Sequence, residues 1–148
     1  MLMFNNILVA IDESEVSNKV LEAARSMVDI NRSNVTIVLV NVSKENVTPG
    51  LTYVPKDYLE DVLLELENES KDILEKAKNK LMTLEGATVN TVSLKGDPAH
   101  QILEYAKEHA QDMIIIGSRG ISGVKGVMLG SVSHKVSQLS ECPVLIVH

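Results

Sequence analysis

The chain has no tryptophan, and its aromatic content stops at three tyrosines and one phenylalanine. A core must therefore rest on Val, Ile, Leu, Met and Ala. A platform for stacking single-stranded nucleic acid is excluded, because such platforms need successive aromatic rings. Basic charge is also short: 14 Lys and Arg against 20 Asp and Glu give a net charge of −6. Such a surface cannot neutralise a nucleic-acid backbone, although local donors can still hold a small anion. A single cysteine, Cys142, excludes an internal disulfide and fits a reducing compartment. The apolar opening Met1–Ala10 lacks a basic start and is cut short by Asp12. It is too short for a signal peptide or a membrane span, and no other apolar run is longer, so a cytoplasmic protein is expected.

At 148 residues and 45% hydrophobic, the chain suits one globular domain, residues 1–148. No internal repeat, low-complexity tract or domain boundary interrupts it. Strand and helix signals alternate along it. Asn6–Ile11 is a short β-branched-rich run of the kind buried on both faces, and Asn34–Val42, Ala87–Leu94, Met113–Ile116 and Pro143–Val147 are further strand signals. Between them, apolar residues recur at helical spacing. One such stretch starts at Ser14 as N-cap, and a long one runs from Lys56 to Leu84. A third begins at Asp97 (cap) and Pro98 (first helical position), and a last one runs from Gly130 or Ser131 to Leu139. Residues 43–56 hold loop chemistry, Pro49-Gly50 and Pro55 among it, and are longer than most connections. Strands joined by helical crossovers predict a parallel, doubly wound α/β sheet.

The fourth strand signal runs directly into Gly117-Ser-Arg119-Gly120, and ten residues later Gly130-Ser131 opens a helix. Glycines let backbone N–H groups approach an anion, and a helix N-terminus adds unpaired donors. This is the outline of a phosphate cradle. Gly117 and Gly120 would turn the chain around a ribose–phosphate, while Gly130, Ser131 and Ser133 would donate to phosphate oxygens. Arg119 and Lys125 either add charge or face solvent. Ligands of open α/β sheets sit beyond the carboxyl ends of the strands, where strand order reverses. If the first and fourth strands are neighbours, Asp12 shares that crevice. Its carboxylate suits ribose hydroxyls, or a metal beside the phosphates, and backbone groups of Val42 could read an adenine edge.

Competing chemistries lack their residues. The P-loop signature and the Gly-x-Ser-x-Gly elbow are absent. His100, His109, His134 and His148 are scattered, with no spacing of a metal cage. Cys142 reads as a small packed hydrophobe, and Glu13 and Glu15 as first-turn acids.

The ordered pattern Gly117-x2-Gly120-x9-Gly130-Ser131 resembles the nucleotide-binding signature of the universal stress protein family. Ile7–Asp12 followed by Ser14, Gly96-Asp97-Pro98, and Cys142–Val147 are similar to its first strand, third-strand exit and last strand. The resemblance covers most of the chain. It implies a five-stranded, Rossmann-like sheet of order 3-2-1-4-5 with helices on both faces. It also implies an adenine-nucleotide ligand and a homodimer, often made by pairing the last strands, here 143–147. Members with the glycine signature intact tend to bind ATP. By that likeness the binding positions are Asp12, Val42, Gly117, Gly120, Gly130, Ser131 and Val132, with Ala10 and Ile116 lining base and ribose. Asn41 departs from the pattern, since many relatives carry His there.

The expected function is thus ATP binding in stress sensing or signalling, with Mg or Mn arriving through the phosphates. A slow ATPase or nucleotidyl-transferring enzyme is one alternative. A module for AMP or a cyclic nucleotide is another, and a structural dimer with a vestigial site is the third.

Overall fold

A computed structural model describes residues 4–31, 34–43, 55–118 and 129–148. Its elements run β1 (Asn6–Ala10), α1 (Val16–Asn31), β2 (Val35–Ser43), α2 (Lys56–Leu81), β3 (Ala87–Lys95), α3 (Pro98–Glu108), β4 (Met113–Gly117), α4 (Ser131–Leu139) and β5 (Val144–Val147). The strands form one sheet of order β3-β2-β1-β4-β5. All four pairings are parallel, as helical crossovers require.

The central strands show why the apolar runs were continuous rather than alternating. Ile7, Leu8 and Val9 are all fully buried. Ile7 and Val9 join a core with α1 and α2 residues such as Val20, Ala24 and Leu74. Leu8 points to the opposite face and packs with Ala99 and Ile102 of α3 and Val136 of α4. β4 repeats the split, Ile115 on the first face and Ile114 on the second. Helices therefore cover both faces, and each fully buried Val, Leu or Ile contributes roughly 1.5–3 kcal/mol.

Element ends follow local chemistry. Asp97 caps α3 by accepting the His100 N–H at 2.9 Å, with Pro98 at the first helical position, as expected. Gly96 precedes it at φ +126°, a conformation that favours glycine. Its N–H donates to Ser43 O at 3.0 Å, tying together the carboxyl ends of β2 and β3.

Every strand ends within one residue of its expected limits, and two helix boundaries differ further. The long helix α2 ends at Leu81, not Leu84, because the chain turns there with the Leu84 N–H on Leu81 O. Leu84 still packs against the core, so its apolar spacing continues past the helix. Ser14 is not the expected N-cap: α1 starts two residues on, at Val16, and the Ser14 hydroxyl turns back to donate to Asp12 Oδ1.

On the charged outer face of α2, a hydrogen bond to Asp72, at 3.0 Å, and that carboxylate's charge hold the Lys76 ammonium above the ordinary lysine range. On the alkaline side that pair is lost as pH rises through the raised lysine pKa. Among the described residues no helix is long and apolar enough to cross a membrane.

Candidate functional site

Strand order reverses between β1 and β4. The chain steps outward from β1 through β2 to β3, then crosses back to place β4 on the other side of β1. In such sheets the crevice lies beyond the carboxyl ends at this switch. The register Leu8↔Ile114 and Val9↔Ile115 continues to bring Ala10 level with Ile116. On the other side Ala10 pairs with Val40, and the Ile11 N–H donates to Val40 O at 2.9 Å. Ala10, Asp12, Val42, Ile116 and Gly117 thus come to one end of three adjacent strands.

Asp12 leaves β1 inside a closed set of hydrogen bonds. Its Oδ1 accepts the Ser14 N–H at 2.8 Å, the Ser14 hydroxyl, and the Ser17 hydroxyl at 3.0 Å. Its own N–H donates to Ser17 Oγ at 2.9 Å. No described residue donates to Oδ2. The preceding peptide is held from β2, where the buried Asn41 donates through Nδ2 to Ile11 O at 2.8 Å.

Across the switch, α4 starts at the carboxyl end of β4. The Gly130 N–H and the Ser133 hydroxyl both donate to Ser118 O, at 2.6 and 2.9 Å, and Ser118 N–H donates to Val147 O at 2.7 Å. These bonds clamp the first turn of α4 onto the exits of β4 and β5. They also correct two expectations, the first being Gly130 as a donor, since its N–H is spent on Ser118 O. Ser133 is buried and its hydroxyl is spent on Ser118 O and Gly130 O, so only its N–H remains for an anion. Gly130 is the N-cap and offers no side-chain acceptor. Among the described residues nothing accepts the N–H groups of Ser131, Val132 and Ser133, whereas α3 is closed by Asp97. Arg119, Gly120 and Lys125 lie outside the described residues, as does most of the 43–56 loop.

The remaining candidates lie elsewhere. His100 pairs with Glu104 at 3.2 Å, and His109 stacks on Tyr105 with ring centroids 3.9 Å apart. Cys142 is half-buried against the α3/α4 core, its sulfur 3.4 Å from Ser140 Oγ. A surface groove of about 600 Å³ lies around the C-terminal ends of α3 and α4, away from the β1/β4 switch. It is crossed by the Lys107–Glu141 ion pair at 3.3 Å. Sequence reasoning missed Ser17 and the framing role of Asn41. The usable signal was a pair of hydroxyls two and five residues after an aspartate at a strand exit.

These features define a doubly wound, Rossmann-like α/β protein with polar groups gathered at its topological switch. The family model described as the universal stress protein family matches residues 3–148, and the chain belongs to that family. It is 46% identical to the universal stress protein YxiE of Bacillus subtilis, over 98% of this chain and 99% of that one. The solved structure of protein MJ0577 of Methanocaldococcus jannaschii superposes with a TM-score of 0.86 at 27% identity, covering 98% and 96% of the two chains. A universal stress protein of Archaeoglobus fulgidus, solved in complex with dAMP, has the same fold, with a TM-score of 0.67 at 24% identity over the full length of both chains.

Proposed function

We propose that this protein binds an adenine nucleotide, ATP foremost, at the β1/β4 switch and serves as a stress-response sensor or signalling protein. The observation that carries the reading is the start of α4, where three N–H groups without a described acceptor sit at the carboxyl end of β4. Helix N-termini of this kind favour phosphate through both their donors and the helix dipole. The N–H groups of Ser131, Val132 and Ser133 take the phosphates over Gly130, whose own N–H is held by Ser118 O and whose missing side chain leaves the approach open, joined by Gly117, Arg119 and Gly120 of the signature. Asp12 Oδ2 accepts from ribose hydroxyls, Val42 backbone groups meet the adenine edge, and Ala10 and Ile116 line the base and ribose. Mg or Mn enters with the phosphates. Support also comes from family members solved with dAMP, with cAMP and with AMP, ligands that share adenine and a phosphate. The protein acts in the cytoplasm as a homodimer, pairing β5 with β5 across a two-fold axis.

Mass spectrometry of the freshly purified protein, native and then denatured, tests this reading. A dimer that releases adenine nucleotide is the expected result. A protein that carries none and gains no mass with added ATP contradicts it. An ATP-to-ADP ratio that drifts with time would identify slow hydrolysis.

A further inference from the structure

Resting on the nucleotide reading, a finer assignment follows from how Asp12 is held. Ser17 lies in the first turn of α1, a rigid element, yet its hydroxyl works on the strand exit. It accepts the Asp12 N–H at 2.9 Å and donates to Asp12 Oδ1 at 3.0 Å. This two-way contact fixes both the backbone and the side-chain torsion of one residue. Asn41 holds the peptide before it, with Nδ2 on Ile11 O at 2.8 Å. Ser14 brings its N–H and its hydroxyl to the same Oδ1.

Three donors therefore converge on one carboxylate oxygen, and none of the described residues reaches the other. An ionised carboxylate only accepts hydrogen bonds. On this half-buried carboxylate Oδ2 is thus an oriented acceptor open to solvent or to a ligand donor. A sugar hydroxyl provides such a donor, and a deoxy position does not. A bound nucleotide would displace the solvent there, so a ligand that lacks the hydroxyl leaves the carboxylate oxygen without a partner and binds less tightly.

We propose that Ser17 is a positioning residue that makes Asp12 a reader of the sugar, so that the site selects ribonucleotides over their deoxy counterparts. Calorimetric titration of wild type, Ser17→Ala and Ser17→Thr with ATP, 2′-deoxyATP and 3′-deoxyATP tests this. Wild type should prefer ATP over at least one deoxy analogue by about tenfold or more, the scale of a hydrogen bond to a charged group. Ser17→Ala should shrink that preference to within about threefold. The change should come from weaker ATP binding, with the disfavoured analogue little affected. Ser17→Thr, which keeps the hydroxyl, should restore it. A loss of fold alone would weaken all three ligands together and leave the ratio unchanged. Should the alanine variant not fold, Ser17→Cys keeps the size while weakening both bonds and gives the same readout. Wild type binding all three equally, or Ser17→Ala retaining the wild-type ratio, overturns the proposal while the nucleotide reading stands. Wild type binding none of them overturns that reading and the proposal with it.

Discussion

Gly96 shows how much one residue can decide. Its φ of +126° lies where side-chain-bearing residues are strained, and a Cβ there would come 3.2 Å from Gln101 Nε2. The glutamine tip can move aside, but the backbone strain remains. Gly96→Ala should therefore lower stability by about 1–3 kcal/mol, measured by urea denaturation; an unchanged midpoint would place no strain at this turn. Residue-scale legibility was uneven for a related reason. Asp97 and Pro98 announce their roles, because a cap and an N1 proline act through the next few residues in sequence. Ser133 did not: its hydroxyl turns inward to Ser118 O, 15 residues away, and only the fold brings the two together. Asp12 is legible as a candidate from its place at a strand exit. Its hold by Ser17 was not seen, since a serine near a helix start reads equally well as a first-turn residue.

At the scale of elements, continuous runs such as Ile7-Leu-Val9 and Ile114-Ile-Ile116 were readable as strands covered on both sides, and they are buried. The end of α2 was not readable, because Leu84 keeps apolar spacing by packing on the core from a turn. Hydrophobic period reports which side a residue faces and not whether the backbone is still helical. β5 behaves differently from its neighbours. It is a four-residue edge strand whose residues are half-buried or exposed, with Leu145 at 37%. Its pairing with β4 leaves its other edge without a described neighbour in the sheet. A strand this apolar at an open edge is a ready surface for a second copy.

For the whole molecule, that edge and the crevice are separate properties of one sheet. The proposed dimer uses β5, while the proposed nucleotide site lies at the β1/β4 switch, so each can be disrupted alone. Leu145→Asp should convert the dimer to a folded monomer in light scattering, with ATP affinity kept within a few-fold. A folded variant of unchanged mass would exclude the β5 interface. Strand order was legible only through the resemblance. Composition and period allow several parallel orders, and it is the order 3-2-1-4-5 that brings Asp12 and the start of α4 to one place.

Titration calorimetry of ATP against wild type and Gly130→Val tests the central claim most directly. Gly130 is extended at φ −70° and ψ 164°, which valine can adopt, so the fold should survive while the side chain obstructs the approach to the α4 donors. The account predicts ATP binding by wild type and a loss of about tenfold or more in the variant, the scale of charge-assisted hydrogen bonds lost from a helix N-terminus. A folded Gly130→Val protein that binds ATP as wild type does would contradict it.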